Sequence, residues 1–415
     1  MVSGGIEGGG PFSGPSLATL ARRGHNTGVI PIIPTPELLE RLVAFDTTSR
    51  HSNMALADFV CDYLDRPHVR VIRHPSTDGT KTNLVVIVGP EVDPEDRGGL
   101  VLSGHMDVVP AGESEWHSDP FTLTRRDDRL IGRGSCDMKG FLALAVDAVA
   151  RADAATLRRP LSLLLTFDEE IGTLGARHFV RTPPPDLVLP RRVIIGEPTG
   201  FTAVRLHKGH MRLVLTTEGK AAHSGFPQSG SNAIEPMARA IVALSGLRGQ
   251  LESERTESSS HFGEVPFVTL NVARIDGGSA TNVVPDRCRL DIGIRLLPGM
   301  DGDAMVDRVR ETIHGALGRS EFDLETMYQS PPMVLPADND LYRALCDSVG
   351  QRDTASVYYA TDGGWLSQAG FECVVFGPGD MDTAHKPDEW LPLADLEWGA
   401  KLVAQIVARY CGPPR

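Results

Sequence analysis

Two rhythms of apolar residues alternate through most of the chain. Runs apolar at nearly every position, Asn83–Val88, Leu100–Ser103, Leu161–Phe167, Val193–Ile195 and Cys373–Phe376, predict strands buried on both faces. Between them, helical patterns cover Pro36–Phe45, Ala55–Leu64, Lys139–Ala152 and Gly175–Arg181. Strands alternating with helices predict an α/β fold, a mostly parallel sheet sandwiched by helices. Four of the strands run directly into polar clusters: His105 with Asp107; Asp168, Glu169 and Glu170; Glu197; and Gly377-Pro378-Gly379. Open α/β sheets bind ligands at the carboxyl ends of their strands, so these clusters are expected to face one crevice.

The rhythm changes between about Lys208 and Leu324. Met211–Thr217 reads as a strand and Asn232–Leu247 as a helix. Phe267–Ile275 and Cys288–Leu296 read as strands joined through Gly277-Gly278, followed by a helix over Asp303–Leu317 and a strand over Glu321–Met327. The order βαββαβ predicts an α+β unit of ferredoxin-like type inserted into the first. A chain of 415 residues is long for a single core. The expected divisions are an N-terminal extension (1–34), a catalytic part (35–207), an inserted lid and dimerisation unit (208–324) and a second catalytic part (325–415).

Composition narrows the partners. A formal charge of −13, with acids spread along the chain, argues against nucleic acid and anionic membranes. No apolar run approaches the roughly 20 residues needed to span a bilayer. The Gly- and Pro-rich stretch Met1 to Pro36 lacks the apolar segment of a signal peptide and is expected to be loosely draped. Six scattered cysteines with no C-x-x-C pair fit reduced thiols, and a cytoplasmic location is expected.

The polar clusters carry the chemistry. His105 and Asp107, two apart at a strand end, point the same way, as a metal-binding imidazole and its carboxylate partner would. Asp137, within Gly132–Gly140, precedes a helix; alone it reads as an N-cap, but its two oxygens suit a bridge between two cations. Three adjacent acids at 168–170 repel one another at the edge of a core, a cost that a cation removes. Glu197 repeats the strand-then-acid pattern, and His385 supplies a second imidazole. Two histidines and three carboxylates, with a spare glutamate beside one of them, match the needs of a two-metal hydrolase. His207 and His210, spaced by three, are expected to be structural.

Five stretches in fixed order then resemble the co-catalytic metallopeptidase and aminoacylase family: Ser103–Pro110, Gly132–Gly140, Asp168–Glu170, Gly196–Thr199 and Ala384–Glu389. The resemblance covers roughly Pro36 to Tyr410. It implies that His105, Asp137 and Glu197 hold one metal and Asp137, Glu170 and His385 the other, zinc or cobalt. It implies that Asp107 orients His105 and that Glu169 is the general base. In the inserted unit, His223 and Asn282 match the family's lid motifs, and Arg295 matches the arginine that grips a substrate carboxylate, beside the loop at Gly377. A homodimer is implied, with the lid residues completing a site, most simply that of the partner subunit.

The wording of Phe45–Ser49 with Ser52-Asn53, of Gly132–Phe141 and of Gly377–Glu389 favours the branch that deacetylates N-acetyl-L-ornithine in arginine biosynthesis. One departure stands at Asp362, in Tyr359–Gly364, where that branch reads Thr-Glu-Ala-Gly; a shorter acid facing the pocket would alter side-chain preference. The alternatives are a broader aminoacylase, a desuccinylase-like enzyme, a small-peptide metallopeptidase, and an inactive relative serving as a dimeric binding module. In each enzymatic case the partner is a small N-acylated amino acid or peptide. No G-x-S-x-G elbow and no H-E-x-x-H helix supports another hydrolase chemistry.

Overall fold

The computed structural model describes residues 31–112, 114–318 and 322–413. The N-terminal extension expected over 1–34 therefore lies almost wholly outside the described residues. In chain order the strands are β1 (Val69–Pro75), β2 (Thr82–Val88), β3 (Leu100–His105), β4 (Thr124–Arg126), β5 (Arg129–Ile131), β6 (Leu161–Thr166), β7 (Arg192–Ile195), β8 (Val204–His207), β9 (His210–Glu218), β10 (Thr269–Gly277), β11 (Arg287–Arg295), β12 (Phe322–Ser330), β13 (Met333–Val334), β14 (Ala355–Val357), β15 (Glu372–Val375) and β16 (Trp390–Pro392).

The large sheet runs β1-β2-β6-β3-β7-β15-β8-β13, with β14 paired to β8. Its apolar strands bury alternate residues on opposite faces, as the period of two requires. Leu84, Val86, Leu100, Leu102, Leu161, Leu163 and Leu165 meet the helices Thr35–Val43, Met54–Tyr63, Gly140–Arg151 and Leu393–Cys411. Val85, Ile87, Val101, Leu164, Val193 and Ile195 meet Phe179 and Leu366 on the other side. Burying each such side chain stabilises the fold by roughly 1.5–3 kcal/mol. The helix Gly140–Arg151 is buried almost all round because its sequence, GFLALAVDAVAR, is apolar on every face.

The expectation of a mostly parallel sheet holds at the centre. β6, β3, β7 and β15 are mutually parallel, whereas β1–β2, β2–β6, β15–β8 and β13–β8 pair antiparallel. At one edge β1 and β2 form a hairpin, closed by a turn in which the Ser76 N–H donates to the Lys81 carbonyl, and at the other β8 runs antiparallel to both β15 and β13.

β9 to β12 form a separate four-stranded sheet, ordered β10-β11-β9-β12 and antiparallel throughout, as a split βαβ unit demands. Two helices cover one face. Met237, Ala240, Leu244, Leu247 and Leu251 line Ile234–Ser253; Met305, Val309, Ile313 and Leu317 line Gly302–Leu317. The chain enters this unit between His207 and His210 and leaves it between Ser330 and Met333. At that crossing a side chain on Gly209 would meet Pro332 at 2.8 Å, so glycine allows the two passages to touch. Lys208 is buried there, its ammonium donating to the carbonyls of Val265 and Phe267, 2.7 Å each.

Candidate metal centre and active site

β3, β6 and β7 are in register: His105 faces Thr166 across one ladder, and the Gly196 N–H donates to the Ser103 carbonyl on the other side. This parallel register brings His105, the 168–170 acids and Glu197 to one edge. A Cβ on Gly196 would lie 1.9 Å from the Phe141 ring, so only glycine lets β7 end this close to the central helix.

The His105 ring is 1% exposed. Its Nδ1 lies 2.9 Å from the Asp107 carbonyl oxygen, and its Nε2 lies 3.0 Å from Asp137 Oδ1 and 3.9 Å from Glu197 Oε2. Asp137 Oδ2 lies 3.1 Å from His385 Nε2, which is also 3.1 Å from Glu170 Oε1. The two oxygens of one carboxylate thus face two different histidines. His385, whose side chain is 47% exposed, adopts φ +59°, a left-handed conformation rare outside glycine.

The expectation that the Asp107 carboxylate orients His105 needs correction. The backbone carbonyl makes that contact, and Asp107 Oδ1 is 3.7 Å from the ring. The carboxylate instead accepts from the Glu169 N–H (3.0 Å), the Glu170 N–H (3.2 Å) and the Ser49 hydroxyl (2.7 Å). Asp107 therefore fixes a histidine with its main chain and the acid loop with its side chain. Lys81 pairs with Asp168 on that loop.

Burial and mutual repulsion dominate the electrostatics. Burial, then the neighbouring Glu197, holds Glu169 well above the usual carboxylate range. Burial and Asp137 push Glu170 up to about 7, and burial and Asp137 likewise raise Glu197. For His105 burial lowers the pKa, but the Asp137 hydrogen bond and the Glu197 charge outweigh it and raise it well above 6.5. Hydrogen bonds that His385 donates to Asp137 and Glu170 push it up to about 10. Lone-pair atoms of His105, Asp137 and Glu170 lie within 4.8 Å of one another, as do those of His105, Glu169 and Glu197. Such a convergence is satisfied by protons or by cations, and a mixed imidazole and carboxylate set suits divalent zinc or cobalt. Glu169, expected as a base, stands close enough to the cluster to ligate as well.

Two buried residues that support Asp137 were not assigned from the sequence. Glu389 Oε1 accepts from the N–H groups of Cys136 and Asp137, 3.0 Å each, and its Oε2 accepts from Arg133 Nη1 at 2.8 Å. Arg133 also donates to the carbonyls of Pro110 and Lys386. The signal was present: Glu389 closes the same Ala384–Glu389 stretch as His385.

Other assigned residues stand elsewhere. Asp362, expected to face the pocket, is 1% exposed; one oxygen accepts from the Thr166 hydroxyl at 2.5 Å and the other has no hydrogen-bond partner among the described residues. Gly377, expected beside a substrate carboxylate, donates its N–H to the Thr199 hydroxyl at 3.2 Å. A Cβ there would meet the Glu197 carbonyl at 2.6 Å, so this glycine serves close backbone approach under Glu197. His223 and Asn282 are exposed on the inserted unit, joined through a bridge between His223 and Val283. Among the described residues, neither hydrogen-bonds to a residue of the candidate metal cluster. Arg295 is half-buried at the end of β11, its charge felt by Tyr328 and His210. His207 is structural as expected, its Nε2 3.1 Å from the Thr361 hydroxyl.

The family model for peptidase family M20/M25/M40 matches residues 101–409, most of the chain. The chain belongs to that family. As an M20 member it is a hydrolase. Curated relatives include the acetylornithine deacetylase of Yersinia pseudotuberculosis serotype O:1b (strain IP 31758), 35% identical over 384 residues, 92% of this chain and 96% of that protein. The acetylornithine deacetylase of Proteus mirabilis (strain HI4320) is 34% identical over 385 residues, 92% and 95% of the two chains. Two solved structures share the M20 fold. The M20 family metallo-carboxypeptidase Sso-CP2 from Sulfolobus solfataricus superposes with a TM-score of 0.72 at 18% identity, covering 91% of this chain and 99% of that one. The Bacillus subtilis YXEP protein, a dinuclear metal binding peptidase, superposes with a TM-score of 0.63 at 14% identity, covering 90% and 97%.

Proposed function

We propose that this M20 hydrolase cleaves the amide bond of an N-acyl-L-amino acid, N-acetyl-L-ornithine foremost, releasing acetate and the free amino acid. The observation that carries the reading is Asp137, whose two oxygens face His105 and His385 at 3.0 and 3.1 Å. Curated deacetylases at about a third identity over nearly the whole chain support the substrate. His105, Asp137 and Glu197 would hold one divalent cation and Asp137, Glu170 and His385 another, zinc or cobalt. Bound there, the pair would supply Lewis acidity toward the acyl oxygen.

The chain's own groups do the rest. Glu169 is the surplus carboxylate, half-buried beside His105 and Glu197. It takes a proton from the attacking water and returns it to the amine that leaves. Its N–H and that of Glu170, both held by the Asp107 carboxylate, keep the base from drifting. Arg295 carries a cation with no acid paired to it among the described residues, which suits a free α-carboxylate. His223 and Asn282, exposed on the inserted unit, would reach a partner subunit's site in a homodimer. The same reading gives the enzyme a cytoplasmic place in ornithine formation for arginine. No helix among the described residues is long and apolar enough to cross a membrane.

A second reading, a broader aminoacylase, is favoured by one observation: the Asp362 carboxylate is shut away from solvent, so it offers no open anion for a basic side chain. A screen of N-acetyl-, N-succinyl- and N-formyl-amino acids with added Zn²⁺ or Co²⁺ tests both. Preference for N-acetyl-ornithine supports the first. Equal turnover of N-acetyl-leucine establishes the second.

A further inference from the structure

One side chain at the metal cluster has no role yet. Tyr359 lies in the segment 358–362, between two fixed points. On one side the Lys208 N–H donates to the Val357 carbonyl, and the Thr361 hydroxyl lies 3.1 Å from His207. On the other, Asp362 accepts from Thr166, the residue that faces His105 across the β3–β6 ladder. The segment is thus anchored beside the first metal ligand. Tyr359 is half-buried, and the charged groups that face it are Glu197, Asp137, Glu169 and Asp380. Its hydroxyl makes no hydrogen bond to any described residue.

A phenol with an ordinary pKa of about 10 is a neutral hydroxyl at working pH, a donor among carboxylates. The groups around it are accounted for: Glu197 and Asp137 as ligands, Glu169 as base, and Asp380 as acceptor of the Asp382 N–H at 2.9 Å. A donor in a ring of committed acceptors, with no internal partner, is open to an acceptor that arrives. An N-acyl amino acid brings two acceptors, and its carboxylate has Arg295. The acyl oxygen gathers negative charge as the water adds to its carbon, and a neutral donor strengthens its bond to that oxygen as the charge grows.

We infer that Tyr359 is a further catalytic residue, its hydroxyl donating a hydrogen bond to the acyl oxygen in the transition state. The inference rests on the amidohydrolase reading above. The electron pair of the acyl C=O moves onto oxygen as the water oxygen bonds to carbon. It returns as the C–N bond breaks, and the phenol keeps its own proton throughout.

Tyr359→Phe removes one oxygen atom that holds no internal bond, so the fold should be unaffected. Steady-state rates with added Zn²⁺ are compared for N-acetyl- and N-trifluoroacetyl-L-ornithine. For the acetyl substrate kcat should fall about 10- to 100-fold, with KM changed less than about threefold. The trifluoroacetyl oxyanion is less basic and needs the donor less, so its loss should be several-fold smaller. Metal content and thermal midpoint should match the wild type. An unaffected kcat, an equal loss on both substrates, or a loss of metal or stability would each overturn the assignment. A wild-type enzyme inactive on both substrates would reject the amidohydrolase reading itself, and the inference with it.

Discussion

Replacing Glu389 by glutamine tests the support beneath Asp137. The wild-type carboxylate serves three donors: two backbone N–H groups at 3.0 Å and Arg133 at 2.8 Å. Glutamine keeps one acceptor oxygen. If that oxygen faces the Cys136 and Asp137 N–H groups, the new NH₂ faces a buried guanidinium; if it faces Arg133, the NH₂ faces two N–H donors. Removing one partner of a buried ion pair costs about 3–5 kcal/mol. Arg133 retains bonds to the Pro110 and Lys386 carbonyls, so the loss should fall near the lower end, about 3 kcal/mol. Burial already pushes the Glu389 carboxyl up against the pull of the Asp137 N–H and Arg133, consistent with a pair that offsets its desolvation only in part. Urea unfolding with metal present should show the loss as a lower midpoint at unchanged slope. Metal content after dialysis should fall, because the displaced backbone carries the bridging ligand. A double-mutant cycle with Arg133→Met should show strong coupling, since either change alone strands the other group. Glu389→Gln within about 1 kcal/mol of wild type and fully metallated, or additive effects in the cycle, would refute the argument.

Four further outcomes are expected. Chelation should abolish hydrolysis and lower the thermal midpoint, because Asp137, Glu170 and Glu197 then repel at close range; full activity in metal-free protein would remove the metals from the mechanism. Glu169→Gln should lower kcat at least ~10²-fold with both metals retained by elemental analysis. Burial holds His207 down at about 4, below its unfolded value of about 6.5, so its contribution is complete above pH 6.5 and lost as pH falls toward 4. That amounts to about 3 kcal/mol, and His207→Gln should flatten this part of the stability profile in urea titrations at pH 7 and 5. Asp362→Asn should leave the ratio of kcat/KM for N-acetyl-ornithine over N-acetyl-leucine within about twofold, and a tenfold fall would show that this acid reads the side chain after all.

How much was legible follows from the kind of information each feature needs. The central strands announce themselves because both faces are buried and every residue is apolar, as in Leu161–Thr166. β1 was missed because it is an edge strand, with exposed Arg70 and Arg73 breaking the apolar run. β8 was missed because its Arg205 is buried, its guanidinium donating to the Leu335 carbonyl at 2.8 Å. Strand direction at the sheet's edges was not legible either, since an apolar run carries no sign of its partner. Of the proposed ligands, His105, Glu170 and Glu197 were legible because each is a polar residue placed where an apolar strand stops, whereas Asp137, ahead of a helix, and His385, in a turn, were legible only through the motifs around them. Their supports were not: Glu389 meets Asp137 across 252 positions, and nothing local in either stretch marks that meeting.

The residues whose placement departs from expectation share a cause. Gly377 and Asp362 were assigned to the substrate, and each also packs behind the candidate metal site, Gly377 under the Glu197 backbone and Asp362 against Thr166 beside His105. A site built from strand ends has little room for ligands and substrate groups on the same short loops, so neighbouring residues are drawn into holding the ligands still. Recognition of the substrate must then come from segments that reach over the strand ends. Arg295, His223 and Asn282 on the inserted unit are the residues proposed for this, and Tyr359, in the bend that follows β14, is the one proposed outside that unit. The proposed chemistry therefore sits at the carboxyl ends of the central strands and on the two loops packed against them, while acyl and side-chain preference can vary in the inserted sheet without disturbing the carboxylate that faces both histidines.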